Sequence, residues 1–88
     1  MLVWQKSIDL VIEVYQITAK FPMEERYGLT SKINRCVVSI PSNIAEGATR
    51  NTYKEFNNFL ATAQGSSFEL DTQLIISNRL NFTSREDN

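Results

Sequence analysis

The sequence predicts an all-α protein: an antiparallel up-down helical bundle with three long helices, the second of them kinked at Pro41. Three observations predict it. Apolar residues recur at the helical period in three long segments, the second period continues across Pro41, and the third segment opens with a capping-box spacing. We expect one domain over residues 1–80, with helices at 2–21, 29–47 and 52–79, and a polar tail over 81–88.

The length of the chain sets a limit on its stability as a single copy. Its 88 residues make one domain at most, and 42% of them are hydrophobic. A chain this short buries only about 60–65% of its unfolded surface. Proteins of this size are therefore often stabilised by a disulfide, a metal ion or association with a partner. Cys36 is the only cysteine and there is no histidine, so we expect neither an intrachain disulfide nor a zinc site. Association remains as the source of extra stability.

The first helix, residues 2–21, has an unusually wide apolar arc. At 100° per residue the arc spans roughly 220°, against about 100° for a surface helix. Its members are Val3, Trp4, Ile8, Leu10, Val11, Ile12, Val14, Tyr15, Ile17 and Ala19. Either this helix buries one side in its own bundle and another side against a second subunit, or a single small bundle covers the whole arc. The pattern leaves both interpretations open. Pro22 ends the helix because it disfavours helical geometry at the preceding residue.

The second helix passes through a proline. Its apolar face holds Leu29, Ile33, Cys36, Val37, Ile40 and Ile44, and the register does not change at Pro41. A proline inside a helix removes one hydrogen bond and crowds the preceding turn, so we expect a kink there. Ser39 and Ser42 are short donors that could serve the freed carbonyls. Gly47 fits the left-handed position that follows the end of a helix.

The outer strip of the second helix is polar, with Lys32, Arg35, Ser39, Ser42, Asn43 and Glu46. Such a strip is either a contact surface or an ordinary solvated face that joins neighbouring helices, and the second is more common.

The third helix begins at Thr52. Thr52 and Glu55 have the spacing at which each side chain satisfies a free donor at a helix start. Ala61, Phe68 and Ile75 form an apolar row on the side opposite to the core-facing residues. We therefore expect this helix also to pack against more than one neighbour. A phosphate-binding role for the glycine and serines at 65–67 is not favoured, because no strand precedes them and no Lys-Ser or Lys-Thr pair follows.

The composition excludes the commonest kinds of catalysis. Without histidine there is no imidazole acid or base and no histidine-ligated metal. Cys36 lies on the apolar face of the second helix, where a thiol usually acts as a small hydrophobic group. We therefore expect no enzyme, no cofactor and no catalytic or metal-binding residue, although an enzyme that uses two close carboxylates stays a minor alternative. Neither a signal peptide nor a membrane span is visible, so we expect a cytoplasmic protein that does not bind membranes.

The charge is uneven along the chain. The net charge is −1, but residues 26–54 carry five cations against Glu46 alone. A basic segment of this kind suits an anionic partner. The candidate contact residues for RNA or an acidic protein are Lys32, Arg35, Arg50 and Lys54.

Four ordered blocks of the sequence resemble the four helix bundle protein family, whose members are also called 23S rRNA-intervening sequence proteins. The blocks are VWQKSIDLVIEVY, FPMEERYGLTSKINR, SIPSNIAEG and EFNNFLATAQGSSFELDTQL, and they cover about residues 2–78. The positions that match are Trp4, Phe21, Pro22, Glu25, Leu29, Arg35, Ser39, Pro41, Asn43, Glu46, Gly47, Arg50, Phe56, Leu60, Gly65, Ser66, Glu69 and Leu70.

This resemblance implies an up-down bundle with a bent second helix and a ring-shaped homopentamer, without catalytic residues. Family members are often encoded in insertions within bacterial large-subunit rRNA genes, and related proteins include an RNA-binding accessory protein of diversity-generating retroelements. Members normally continue into a fourth helix, most of which this sequence lacks. We therefore expect apolar surface on the third helix, including Phe68 and Ile75, to be bare or covered by another subunit.

Two functional hypotheses follow. The first is a non-enzymatic homo-oligomeric bundle that associates with ribosomal or other RNA assemblies, which its basic middle segment would contact. The alternative is a protein–protein adaptor whose basic patch meets an acidic partner and which binds no nucleic acid.

Overall fold

Three α-helices form an antiparallel up-down bundle in the computed structural model, which describes residues 1–83. Helix α1 runs over Leu2–Thr18, α2 over Leu29–Ala48 and α3 over Tyr53–Arg79, and a 3₁₀ turn, Met23–Glu25, lies between α1 and α2. The predicted all-α fold class is confirmed. None of the helices in the described part of the chain could cross a bilayer, since none is both long and apolar enough. Residues 84–88 of the predicted polar tail lie outside the described residues.

Helix α2 is the central element of the bundle. It packs against α1 on one side and α3 on another, whereas no Cα atoms of α1 and α3 lie within 8 Å of each other. Ile33 and Val37, both from α2, are completely inaccessible to solvent. The buried core consists of Val14, Phe21, Ile33, Cys36, Val37, Ile40, Ile44, Ala63 and Leu70. Because most of these residues belong to α2, the other two helices are held together through it.

Helix α2 continues without interruption through Pro41, which is buried. Short side chains near the proline donate hydrogen bonds to helix carbonyls: Ser39 to Cys36 at 2.6 Å and Ser42 to Val38 at 2.8 Å. Both serines were predicted to serve freed carbonyls. The carbonyl that loses its donor to the proline is that of Val37, and among the described residues neither serine reaches it. The kink at Pro41 stays a prediction.

Gly47 does not end α2, and the predicted left-handed cap at this position is wrong. The helix runs on to Ala48, and no described glycine has a positive φ. The physical reason for glycine is contact with α3. A Cβ placed on Gly47 would lie 2.9 Å from the Cβ of Phe59 and 3.2 Å from Cδ1 of Phe56. Gly47 therefore lets the backbone of α2 approach the first turns of α3.

The starts of α2 and α3 are capped by side chains in two different ways. Gly28, at the N-cap of α2, has no side chain to offer, and Oε1 of Glu25 accepts from the amide of Leu29 at 3.2 Å instead. At α3, Oγ1 of Thr52 accepts from the amide of Glu55 at 3.2 Å and donates to the Glu55 carboxylate at 3.1 Å. The second bond differs from a standard capping box, in which the Glu side chain would accept from the N-cap amide.

The ends of α1 and α3 meet around Phe21. Helix α1 ends at Thr18, and two tight turns bring Phe21 into the core before Pro22. Helix α3 ends at Arg79 and is followed by a left-handed residue, Asn81, at φ 62°, after which the amide of Phe82 donates to the carbonyl of Ser77 at 3.1 Å. The rings of Phe21 and Phe82 then pack edge to face with centroids 5.5 Å apart.

The Gly47→Ala substitution should destabilise the protein by about 1–3 kcal/mol, because the added methyl group forces the backbones of α2 and α3 apart. Urea unfolding followed by circular dichroism measures the change. Ser42→Ala, which alters an exposed residue of the same helix, should change stability by no more than about 0.5 kcal/mol. Equal effects of the two substitutions would contradict the close-packing role of Gly47.

Candidate functional site

The structure separates the four predicted contact cations into different places. Lys32 and Arg35 lie together along one groove between α2 and α3. Arg50 follows the C-terminal end of α2, 18 residues from Lys32, which corresponds to roughly 27 Å of helix rise. Lys54 is exposed in the first turn of α3, on the side turned away from the core-facing residue Ala63. Only Lys32 and Arg35 therefore share a surface.

The groove between α2 and α3 is polar and is called here the α2–α3 groove. Lys32, Arg35, Cys36 and Ser39 line it from α2, and Ser66, Glu69 and Gln73 line it from α3. Among the described residues no carboxylate pairs with Lys32 or Arg35, since the ion pair in this part of the chain joins Arg50 to Glu46. The groove thus presents the exposed cations of Lys32 and Arg35, one carboxylate, that of Glu69, and the hydroxyl groups of Ser39 and Ser66.

A hydrogen-bonded seam forms the floor of the α2–α3 groove. The hydroxyl of Ser39 lies 2.7 Å from that of Ser66, and the thiol of Cys36 donates to the Ser66 carbonyl at 3.2 Å. Oε1 of Gln73 is buried there without a hydrogen-bond partner among the described residues. Since these contacts join residues about 30 positions apart, they fix the lengthwise register of α2 against α3.

Cys36 in this seam is not an activated nucleophile. Burial, followed by the hydrogen bond to the Glu69 carboxylate 3.5 Å away and the negative charge of that carboxylate, raises the pKa of the thiol to about 11. A reactive cysteine needs the opposite shift, which cationic neighbours produce. At neutral pH the group is a buried neutral thiol whose single S–H proton faces the Ser66 carbonyl and the Glu69 carboxylate.

Arg50 is held by its own chain. Its guanidinium pairs with the Glu46 carboxylate one turn earlier, and it stacks over the ring of Phe59 with 4.8 Å from Cζ to the ring centroid. The carboxylate neutralises its charge, and the ring fixes its position. This arrangement covers the place where α2 and α3 approach at Gly47, so Arg50 fits a structural role better than a contact with an anion.

Two apolar faces remain uncovered in the protomer. The first, called the α1 face, consists of Trp4, Ile8, Ile12 and Tyr15 with Val38 of α2, all of them exposed. The second, called the α3 face, consists of Ala61, Gly65, Phe68, Thr72, Ile75 and Ile76. Phe68 is 66% exposed and Ile75 is 54% exposed, which agrees with the apolar surface that the sequence predicted on this helix.

Sequence reasoning identified the cations of the α2–α3 groove but not its other wall. Ser66, Glu69 and Gln73 recur at helical spacing on α3 and lie beside the core-facing row. This spacing is the signal that was present in the sequence. What the sequence does not give is which polar strip of α2 lies against them, because that depends on the rotation of both helices about their axes.

The family model described as 23S rRNA-intervening sequence protein matches residues 1–88, the whole chain. The resemblance seen in the sequence blocks is thus confirmed. The search of curated proteins found no significant match to the chain.

The raised pKa of Cys36 predicts a loss of stability at alkaline pH. In the unfolded chain the thiol ionises near pH 9, whereas in the folded protein it keeps its proton until about pH 11. The folded state therefore binds more protons between these values, so its stability decreases as the pH rises from 9 to 11. Urea unfolding at pH 8, 9, 10 and 11 measures the effect.

Cys36→Ala is the control, because it removes this group and leaves every lysine and tyrosine in place. The difference in unfolding free energy between wild type and variant should shrink or change sign above pH 9. A difference that stays constant from pH 8 to 11 would contradict the assigned environment of the thiol.

Proposed function

The chain belongs to the 23S rRNA-intervening sequence protein family, and we propose that it is a non-enzymatic, homo-oligomeric helical bundle that binds RNA through the α2–α3 groove. Three parts of this proposal rest on different observations: the groove for RNA binding, the chemistry of the polar groups for the absence of catalysis, and the apolar faces for self-association.

The observation that carries RNA binding is the pair of exposed cations, Lys32 and Arg35, on one groove. Cations without a carboxylate partner can contact phosphate oxygens without first breaking an ion pair. The hydroxyl groups of Ser39 and Ser66 line the same groove as further hydrogen-bonding groups. The groove is a better candidate than Arg50, whose charge is already paired.

The chemistry of the polar groups supports a role without catalysis. Catalytic groups need a pKa close to the working pH or an adjacent base. The chain has no histidine, and the pKa of its single thiol is raised to about 11. The hydroxyl groups of Ser39 and Ser66 bond to each other and to a helix carbonyl, so no base within this pair activates either of them.

The two apolar faces support self-association. Exposed apolar surface on two helices is typical of proteins that bind a partner, and a chain of 88 residues benefits from the additional burial. A homopentamer is the copy number that the family resemblance implies.

A protein–protein adaptor is the second candidate. The carboxylate of Glu69 lies in the same groove as Lys32 and Arg35, and the whole chain carries a net charge of −1. Both features weaken the attraction of a long polyanion more than that of a short acidic peptide. Binding of RNA at low salt distinguishes the two functions.

The double variant Lys32→Glu with Arg35→Glu should lose most RNA binding. Fluorescence anisotropy with a labelled hairpin from bacterial large-subunit rRNA, measured from 50 to 300 mM salt, tests this. For the wild type, the logarithm of the association constant should fall linearly with the logarithm of salt concentration, with a slope of about one for each phosphate contact. The double variant should lose about two contacts from that slope.

The matched control is Lys6→Glu with Arg26→Glu, which changes net charge equally at exposed positions outside the groove and should retain the wild-type slope. Absence of wild-type binding at 50 mM salt would refute RNA binding and leave the adaptor. Equal losses in both double variants would show attraction by net charge alone and refute the groove as the binding site.

A further inference from the structure

We infer that the α2–α3 groove binds an unpaired guanine of single-stranded RNA, and that the carboxylate of Glu69 is the group that recognises this base. The inference rests on the proposed RNA binding and names what the same groove selects. It starts from the presence of a carboxylate in a groove that otherwise suits phosphate.

The two walls of the groove have different chemistry. Both cations, Lys32 and Arg35, belong to α2, whereas the α3 wall contains the carboxylate of Glu69 and the amide of Gln73. Helices in close contact have axes about 8–10 Å apart, which is comparable to the distance from the phosphate of a nucleotide to the far edge of its base. A nucleotide that lies across the groove therefore has its phosphate on the α2 wall and its base on the α3 wall.

The register of the two helices places these groups at matching levels. The thiol of Cys36 lies 3.5 Å from Oε1 of Glu69, so Arg35, the neighbour of Cys36, lies near the level of Glu69. Because the helices are antiparallel, Lys32, one turn earlier on α2, lies near the level of Gln73, one turn later on α3. Each level of the groove thus combines a cation on one wall with a hydrogen-bond acceptor on the other.

The carboxylate of Glu69 has capacity for a ligand. In the described part of the chain it forms no ion pair, although Arg35 lies near its level. Its contact is with the thiol of Cys36, which engages one of its two oxygens at 3.5 Å. A carboxylate can accept hydrogen bonds at about four lone-pair positions, and Glu69 is exposed. Both oxygens can therefore accept a hydrogen bond from a ligand in the groove.

Gln73 is a second acceptor on the same wall. Its Oε1 is buried and receives no hydrogen bond from the described residues, which is an unfavourable state for a buried acceptor. The side chain as a whole is only half-buried, so rotation of the amide would turn this oxygen toward the groove. The α3 wall thus suits a ligand that brings hydrogen-bond donors.

Guanine is the RNA base whose donors match a carboxylate. Its N1–H and its N2 amino group lie side by side and can each donate to one carboxylate oxygen. In adenine and cytosine the amino group lies beside a ring nitrogen that accepts, and in uracil the N3–H lies between two carbonyl oxygens. These three bases therefore place an acceptor against the carboxylate. The edge that carries the donors is free only in an unpaired base, which is the usual target of sequence-specific RNA binding.

This assignment gives the carboxylate of Glu69 a role beside the cations. A carboxylate in a phosphate-binding groove repels the RNA backbone unless it also contacts another part of the nucleotide. Phosphate contacts position a nucleic acid but carry no sequence information, whereas base contacts supply specificity. Lys32 and Arg35 then hold the strand, and Glu69 selects the base.

Substitution of one base in a labelled RNA hairpin tests the inference. The hairpin has a loop of uridines with a single guanosine, which is replaced by 7-deazaguanosine, inosine or adenosine, and fluorescence anisotropy measures binding at 50 mM salt. Guanosine and 7-deazaguanosine should bind equally, because both have the two donors. Adenosine should bind roughly 5- to 150-fold more weakly, which is the range for a bidentate base contact. Inosine lacks the N2 amino group and should lie between them.

Two protein variants assign the preference to a residue. Glu69→Gln replaces an exposed side chain, so the protein should still fold, as circular dichroism can verify. It should bind the guanosine and adenosine loops with similar affinity, because an amide has only one acceptor. Asp71→Asn removes the same charge from an exposed position of α3 outside the groove and should keep the wild-type preference.

The possible failures are distinguishable. Absence of wild-type binding to every loop refutes the proposed RNA binding together with this inference. Binding of the guanosine and adenosine loops with equal affinity refutes guanine recognition and leaves RNA binding in place. A guanosine preference that persists in Glu69→Gln, even if this variant binds every loop more tightly, shows that the carboxylate only repels phosphate and overturns its assignment as the recognising group.

Discussion

The bundle depends on the close approach of α2 to α3, because within residues 1–83 α2 packs against both of the other helices, whereas the backbones of α1 and α3 do not approach each other closely. Gly47 permits this approach at one end, where the Cβ of Phe59 occupies the space that a side chain would need. Further along the same interface, Ser39 and Ser66 are in hydrogen-bonding contact. With α2 placed by these contacts, its opposite side is free to pack on α1 and to bury Ile33 and Val37 completely. Separation of α2 from α3 would therefore remove the support of the whole core.

The polar seam beside this core affects specificity more than stability. A buried hydrogen bond contributes only about 1 kcal/mol on balance, whereas a buried polar group without its partner is strongly unfavourable. Sliding α3 along α2 by one turn would separate the thiol of Cys36 from the carbonyl of Ser66 and the hydroxyl of Ser39 from that of Ser66. Apolar contacts such as those of Ile40 are less selective. The seam thus selects one register among several that the hydrophobic residues alone would permit.

The sequence was sufficient for the helices because their periodicity is a local property. The register across Pro41 predicted one continuous second helix, and the structure has one. Gly47 was misinterpreted because the rule for helix caps considers only neighbours along the chain. Glycine is needed there because Phe56 and Phe59, in another helix, pack against that position. The α2–α3 groove has the same character. Lys32 and Arg35 were identified by charge, but Glu69 and Ser66 join them through tertiary packing that a single sequence does not specify.

The proposed self-association of this protein would strengthen its proposed binding of RNA. The α1 and α3 faces are apolar and would be buried between copies, whereas Lys32 and Arg35 line a different surface, the α2–α3 groove. Two cations from one protomer provide only a weak, salt-sensitive attraction for a phosphate chain. Repetition of the groove around an oligomer places several such pairs within reach of one RNA, and linked weak sites bind far more tightly than any of them alone. Self-association would then supply affinity as well as stability. A small chain with only two unpaired cations on its groove could thereby hold a large anionic partner without a strongly basic composition.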